Sequence, residues 1–243
     1  MPLTLAHPIA VAPLWYASRK RLDLPAMIIG SMIPDITYFL WLRPVQNIGH
    51  TPLGILVQGI PAGLVLLWIL FCIMRPALMT LAPRQTAHFL TSPYRFGPPQ
   101  RFAMIVISII LGAGTHVLWD SFTHEGWLFV GMLPALQAQI GPLPVYKYLQ
   151  YSSGIFGTIA VVLWARYAMR QRATETHRPS QTRGYLIVIA VGATVLALTL
   201  LKKAPLSIHT ALVQGAIGSI AGVWLGVLVF ALWHHAKPLL RKH

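Results

Sequence analysis

Charged residues are scarce in this sequence, and acidic residues are the scarcest of them. Of its 243 residues, 10% are charged, with five Asp or Glu against 19 Lys or Arg. A soluble domain carries about 25% charged residues, so this chain has too few to cover the surface of a soluble globular protein. Disorder is also excluded, because disordered segments are poor in apolar residues and 56% of this chain is hydrophobic. The single cysteine, Cys72, excludes an intrachain disulfide framework and a zinc site built from cysteines.

Long apolar segments are abundant instead. A helix needs about 20 apolar residues to cross a bilayer, and the candidate segments are residues 5–18, 24–42, 53–74, 103–123, 143–168, 185–201 and 208–235. The first is short enough to be a half-span, and the second contains Gly30 and Pro34, which predict a bent or broken helix. We therefore predict an all-α polytopic membrane protein, a helical bundle of about six or seven membrane segments. Residues 1–170 are the predicted membrane core, and residues 171–243 are predicted to add two C-terminal transmembrane helices.

The basic residues are distributed unevenly between the two sides of the predicted membrane. Fifteen of the 19 fall on one side, at residues 19–21, 75–101, 166–183 and 237–242. Lys and Arg accumulate in cytoplasmic loops, so we predict that this side and the C-terminus lie in the cytoplasm. Because the membrane accounts for the net charge of +14, we predict membrane lipids as partners and no nucleic acid. The sequence leaves the side of the N-terminus and the oligomeric state open.

Six histidine and aspartate residues share one predicted depth. Counting about 1.5 Å per helical residue from the basic clusters places them in the extracytoplasmic half of the bilayer. They are His7, Asp35, His50, His116, Asp120 and His124. The last three are spaced four residues apart and so line one stripe of a helix. Ionisable side chains inside a membrane are costly and mark functional sites.

These six residues predict a metal site. Imidazole nitrogens and carboxylate oxygens are ligands that zinc accepts, so we expect one or two zinc ions, although manganese or iron would accept similar ligands. In a hydrolytic site a carboxylate can act as general base on water. Asp35 and Asp120 are the candidates for this role, and Glu125 is a further candidate acid or base.

Four short motifs in residues 1–170 carry a family resemblance. They read Leu-Ala-His-Pro, Gly-Ser-Met-Ile-Pro-Asp, Gly-His-Thr and Thr-His-Val-Leu-Trp-Asp-Ser-Phe-Thr-His. This pattern resembles a bacterial family of integral membrane proteins that is grouped with the membrane-bound metal-dependent hydrolases. The resemblance implies a location in the cytoplasmic membrane of a bacterium. The order of the His and Asp residues is also similar to the ligand order of zinc-dependent phospholipase C and the S1/P1-type nucleases.

The second resemblance implies a distribution of ligands among metals. It implies that one metal is held by Asp35, His50, His116 and Asp120. It also implies that Asp120 bridges to a second metal held by His7, and that His124 matches a ligand of a third. Those enzymes complete the third site with a later His-x-x-x-Glu pair, which this sequence lacks after His124. One or two metals are therefore expected.

Hydrolysis of a phosphoester in a lipid-like substrate, in the outer half of the bilayer, is the leading hypothesis. Two alternatives stay open: a transporter of metal ions or protons, and a non-catalytic membrane module with a structural metal. Residues 127–142 are apolar but too interrupted to cross a membrane. They predict either an interfacial lid over the site or a plain connector.

Overall fold

The fold is almost entirely helical in the part of the chain that the computed structural model describes, residues 4–45, 48–81, 94–170, 182–202 and 207–240. The all-α prediction is therefore confirmed. The α-helices are α1 (Val11–Ala17), α2 (Leu24–Gly30), α3 (Ile36–Trp41), α4 (Pro52–Gly54), α5 (Ile60–Trp68), α6 (Arg75–Leu81), α7 (Pro99–Asp120), α8 (Leu128–Met132), α9 (Pro134–Gln137), α10 (Val145–Arg170), α11 (Thr182–Leu201) and α12 (Ile208–Leu240). The other elements are the 3-10 helices Thr4–Ala10, Ile33–Asp35 and Ile48–His50, the π-helical stretches Ile55–Gly59 and Ile69–Met74, and the strands β1 (Gln139–Ile140) and β2 (Leu143–Pro144).

Five helical segments within the described residues are long and apolar enough to cross a membrane. They are Leu24–Trp41, Pro52–Leu81, Pro99–Asp120, Thr182–Leu201 and Thr210–Lys237. They coincide with five of the seven predicted segments, and the chain is a multi-pass membrane protein. The predicted segment 143–168 forms α10, which has 26 residues but is not among these five. The predicted segment 5–18 forms two short helices of seven residues each.

The chain divides into two compact units that interleave along the sequence. The first comprises Met1–Ile36, Asn47–Leu67 and Phe96–Arg166, and the second comprises Thr37–Gln46, Trp68–Arg95 and Tyr167–His243. The domain boundary at residue 170 stays a prediction. Several basic residues used to orient the chain lie outside the described residues, namely Arg84, Arg172, Arg178, Arg241 and Lys242.

In the first unit, α2 and α7 pack side by side and run in the same direction. Near the start of both helices, Arg101 Nη2 lies 3.3 Å from Asp23 Oδ2. Beyond the end of α2, the carbonyl of Ser31 contacts His116, near the end of α7. Asp23 also fixes where α2 begins, because its Oδ1 accepts the N–H of Ala26 in an N-cap. The basic residues therefore lie at one end of this pair and the His and Asp residues at the other.

Two glycines allow α2 and α7 to approach closely. A Cβ on Gly112 would overlap the carbonyl oxygen of Met27, and a Cβ on Gly30 would overlap that of Ile109. Small residues at such positions are the usual means by which membrane helices bring their backbones together. This contact sets the distance between the two helices that carry the candidate site.

The segment 24–42 is broken at the predicted position. Helix α2 ends at Gly30, and a 3-10 turn, Ile33–Asp35, precedes α3. Pro34 has no N–H to donate, and the N–H of Asp35 donates to Met32 O at 3.3 Å. The carbonyl of Ser31 is therefore released from the helical ladder.

Residues 127–144 form a segment of short elements, α8, α9 and the β1–β2 hairpin, between the candidate span Pro99–Asp120 and α10. The N–H groups of Phe129 and Val130 both donate to Ser121 O, which ties the segment to the end of α7. Its apolar side chains are largely exposed, with Leu128 63% and Met132 66% accessible.

The second unit has its own apolar core. It consists of Met74, Ala77, Leu81, Val227, Phe230 and Ala231. The hydroxyl of Tyr185, near the start of α11, donates to the carbonyl of Leu81 at the end of α6. This bond satisfies one of the carbonyls that a helix leaves unpaired at its C-terminus.

Candidate metal centre

Short helices and one long helix of the first unit bring the predicted ligands together. Three 3-10 helices supply His7, Asp35 and His50, one each, and α7 supplies His116 and Asp120 one turn apart. These five residues are called the His/Asp group below. A 3-10 helix is short, so each of the three elements contributes a single ligand side chain. The longer α7 places two such side chains one turn apart on the same face.

Four members of the His/Asp group are almost inaccessible to solvent. His116 is 0% exposed, His7 1%, and Asp35 and Asp120 are each 3% exposed. Burying a charged group is costly unless it is paired or coordinates a metal. His50 is the most accessible of the five, with 10% of its side chain exposed. The group is thus buried on all but one side.

Distances within the group lie at or beyond the long end of the hydrogen-bond range. His116 Nε2 lies 3.3 Å from Asp120 Oδ2 and 3.7 Å from Asp35 Oδ1. His50 Nε2 lies 3.3 Å from Asp35 Oδ1 and 3.9 Å from Asp120 Oδ2. N–H···O bonds span about 2.7–3.2 Å, whereas a tetrahedral zinc ion with bonds of about 2.0–2.1 Å separates its ligand atoms by roughly 3.3–3.4 Å. The spacing fits ligand atoms that share a cation.

The hydrogen bond made by His116 determines which of its nitrogens faces the carboxylates. Nδ1 of His116 lies 2.7 Å from Ser31 O, the carbonyl released by the helix break. A carbonyl can only accept, so Nδ1 carries a proton and Nε2 is the nitrogen that faces Asp35 and Asp120. A metal ion would bind Nε2 through the lone pair of a neutral ring and would balance the charge of the two carboxylates. Metal-ligating histidines commonly donate their other N–H to a carbonyl in this way.

His7 completes the group by stacking on the imidazole ring of His116. The two imidazole rings stack with centroids 3.7 Å apart, and His7 Nε2 lies 3.6 Å from Asp120 Oδ1. Both nitrogens of His7, Nε2 of His116 and Oδ1 of Asp120 are buried and have no hydrogen-bond partner among the described residues. Buried polar atoms are nearly always satisfied, and a metal ion would supply a partner for Nε2 of His116, Oδ1 of Asp120 and one nitrogen of His7.

Two overlapping sets of ligands are within reach of an ion. One set is His7, Asp35 and His116, and the other is His50, His116 and Asp120. Within each set, one ligand atom per residue lies within 4.8 Å of the others. Outside both sets, Thr4 Oγ1 donates to Asp35 Oδ2 at 2.6 Å and so orients that carboxylate. The His/Asp group can therefore hold a metal ion, and its donor atoms suit the borderline-soft divalent metals.

A family model matches nearly the whole chain. The match covers residues 1–232 and is described as a domain of unknown function, DUF4184. The chain belongs to the DUF4184 family. No curated protein and no solved structure matches it. The family description assigns no activity, so a function for this DUF4184 chain rests on the chemistry of its own side chains.

His124 lies beside the His/Asp group of this DUF4184 member but in neither ligand set. Lys147 Nζ donates to Gln150 Oε1 at 3.0 Å, so the amide nitrogen of Gln150 faces His124 Nε2, also at 3.0 Å. Nε2 must then accept, and the proton of His124 sits on Nδ1, 3.3 Å from Asp120 O and 3.5 Å from Asp120 Oδ1. Burial lowers the pKa of His124, which favours this neutral form. His124 therefore helps to position Asp120. That His124 is itself a metal ligand stays a prediction.

The support that Gln150 gives to His124 and Asp120 can be tested with Gln150→Met, which keeps the length of the side chain but not its hydrogen bonds. We expect zinc affinity to fall about 10-fold, as is typical when a residue that orients a ligand is lost. Competition against a fluorescent zinc chelator measures the change. Gln139→Met is the matched control, because Gln139 is exposed. A rise in affinity would contradict the arrangement, since it would mean that a released His124 joins the ligands.

Glu125 is placed apart from the His/Asp group. Its side chain is exposed, and its Oε2 accepts a hydrogen bond from Tyr146 OH at 3.2 Å. This contact links the start of α10 to the chain that follows α7. The catalytic role of Glu125 stays a prediction.

Sequence reasoning missed three residues that position the site in this DUF4184 chain: Thr4, Ser31 and Gln150. Thr4 lies three residues before His7, a helical spacing that would have placed both on one face. Gln150 is only 1% exposed, but Lys147, Ser152 and Ser153 lie near it in the sequence, so no pattern of residue types distinguishes it. Ser31 acts through its carbonyl, for which the only signal is the helix break at Pro34.

Proposed function

We propose that this chain is a membrane-embedded, metal-dependent hydrolase that acts on a phosphoester of a lipid-like substrate. The observation that supports the proposal is the His/Asp group, in which the buried Nε2 of His116 faces two carboxylates and has no hydrogen-bond partner among the described residues. A bound divalent ion would lower the pKa of a water molecule to about 7 and stabilise negative charge on the phosphoryl oxygens. Zinc suits these ligands best, and manganese or iron would accept similar ones.

The residues of the group would have different roles in the reaction. His7, His50 and His116 would hold one or two ions, and Asp35 and Asp120 would balance their charge. The carboxylate that is not engaged by the metal would accept a proton from water as general base. Thr4 favours Asp120 for this role, because it already donates to Oδ2 of Asp35.

Access from one edge is compatible with a lipid-like substrate. His50 and His124 have the more exposed side chains of the site, 10% and 22%, and Trp127 packs against both, with ring centroids 5.1 and 5.5 Å away. Trp127 begins the segment 127–144, which presents apolar side chains to its surroundings. A lipid would therefore reach the metal along an apolar surface. The charge distribution of the sequence supports a position of this edge toward the extracytoplasmic face, in what we propose is a bacterial cytoplasmic membrane.

The activity can be tested on the full chain in detergent with a chromogenic phosphodiester. We expect turnover that chelator abolishes and zinc restores, and we expect His50→Ala to reduce it to background, because His50 lies at the accessible edge. His234→Ala is the control, since His234 belongs to the second unit. Wild-type protein that holds zinc tightly but hydrolyses neither this probe nor a phospholipid would refute the hydrolase proposal.

A structural metal is the second candidate, and the burial of the ligands favours it. Structural zinc sites are closed by four protein ligands, whereas catalytic sites keep one position open, and four of the five residues here are at most 3% exposed. A structural metal would be bound without turnover, and its removal would unfold the first unit. Transport of metal ions or protons is the other alternative. It predicts a flux into proteoliposomes that Asp35→Asn abolishes.

A further inference from the structure

A second polar feature lies at the opposite end of α2 and α7 from the His/Asp group. It is a cleft of about 230 Å³ in the first unit, and its lining includes Trp15, Lys20, Arg21, Asp23 and Arg101. From Arg101 to His116 along α7 is fifteen residues, or roughly 22 Å at 1.5 Å per residue. The cleft is therefore too far away to belong to the metal site. Its position at the start of two membrane-crossing segments puts it at a membrane surface.

The charge of the cleft is positive. Three cationic side chains, Lys20, Arg21 and Arg101, line it together with one carboxylate, Asp23. That carboxylate is engaged, because Oδ1 accepts the N–H of Ala26 at 3.0 Å and Oδ2 lies 3.3 Å from Arg101 Nη2. The Asp23 side chain is 7% exposed and that of Arg101 is 45% exposed. Asp23 thus holds Arg101 in place, while the guanidinium faces outward.

The backbone that leads into the other two cations, Lys20 and Arg21, adopts an unusual conformation. Arg19 and Lys20 have φ angles of 53° and 62°, a left-handed region that residues other than glycine seldom occupy. Local bonds hold this turn, since Lys20 N–H donates to Trp15 O at 3.0 Å and Trp15 Nε1 donates to Leu22 O at 3.1 Å. The turn folds Lys20 and Arg21 back beside Arg101. Such outliers cluster at ligand-binding sites.

We propose that this cleft binds a phosphate group, and that the phosphate is the headgroup of an anionic membrane lipid. Guanidinium groups bind phosphate oxygens through paired, charge-assisted hydrogen bonds, and two arginines lie here beside a lysine. Basic pockets at the ends of transmembrane helices bind anionic headgroups. Leu22, Leu24 and Met104 also line the cleft, and apolar side chains suit acyl chains better than a free ion. The site is independent of the proposed hydrolase.

The test uses the purified full chain, delipidated in detergent and mixed with an excess of phosphatidylglycerol or phosphatidylcholine. Native mass spectrometry counts the lipids that remain bound. We expect wild type to retain phosphatidylglycerol preferentially, and the preference to fall about 5-fold for each of Lys20→Gln and Arg21→Gln, the attraction of one basic residue near an anionic surface. Both side chains are exposed, so circular dichroism should be unchanged. Arg166→Gln is the matched control, because Arg166 is an exposed arginine in α10 outside the cleft.

The possible outcomes either support or overturn the proposed binding site. Loss of the preference in the two cleft variants with retention in Arg166→Gln supports the site. Equal retention in all variants, an equal loss in Arg166→Gln, or no preference in wild type would overturn it. Adding inorganic phosphate distinguishes the sources: if it displaces the lipid, the cleft recognises phosphate itself, and if it does not, the lipid is the ligand.

Discussion

Replacing Asp120 by alanine is expected to weaken zinc binding at least about 100-fold. Asp120 belongs to one ligand set directly, and its two oxygens face different histidines, with Oδ1 3.6 Å from His7 Nε2 and Oδ2 3.3 Å from His116 Nε2. Residues that merely orient a ligand already contribute 10–100-fold to metal affinity, so a ligand that neutralises charge should contribute more. Elemental analysis of the purified protein after gel filtration measures the zinc retained, and anomalous diffraction at the zinc edge locates it.

Two comparisons make the Asp120 result interpretable. Asp120→Asn keeps the shape of the side chain and removes its charge, so it should also lose zinc while eluting as a monodisperse peak. His234→Ala removes an imidazole from the second unit and should keep the full zinc content. A folded wild-type protein without metal would contradict the site. In that case His116 and His50 would have to carry the protons that neutralise Asp35 and Asp120.

The sequence was sufficient for those parts of the site that depend on spacing along one helix. His116 and Asp120 are one turn apart, so their shared face follows from helical periodicity. The break after Gly30 follows from Pro34, which cannot continue a helical ladder. The common depth of His7, Asp35 and His116 follows from counting residues from the basic clusters, and the parallel packing of α2 on α7 agrees with that count.

Contacts between segments that are distant in the sequence could not be predicted from spacing. His124 continues the stripe of His116 and Asp120, yet its Nε2 faces Gln150, which comes 26 residues later and belongs to α10. No periodicity relates these two residues, so the contact between them could not be predicted from the sequence. The tautomer of His116 likewise depends on one carbonyl at Ser31. Which ring nitrogen is available for a ligand is decided by such tertiary contacts, and they are invisible in a pattern of residue types.

Two glycines on the same helix should respond oppositely to alanine. Gly112→Ala is expected to destabilise the protein by about 1–3 kcal/mol, the usual result of overpacking, because its Cβ would overlap the carbonyl of Met27. Gly114→Ala is expected to be neutral or to stabilise by up to about 1 kcal/mol, because alanine is the better helix former and nothing lies within 4 Å of the added atom. Unfolding in mixed micelles, followed by circular dichroism, measures both.

The consequence of Gly112→Ala should extend to the metal. Gly112 lies one turn before His116 on α7, and its added Cβ would also lie 2.9 Å from the backbone nitrogen of Ser31. Separating the helices would carry the Ser31 carbonyl away from His116 Nδ1 and release the ring that this bond orients. Zinc affinity should therefore fall in Gly112→Ala and stay unchanged in Gly114→Ala. Equal zinc affinity in the two variants, together with the expected loss of stability in the first, would mean that the contact between α2 and α7 supports the fold without setting the geometry of the site.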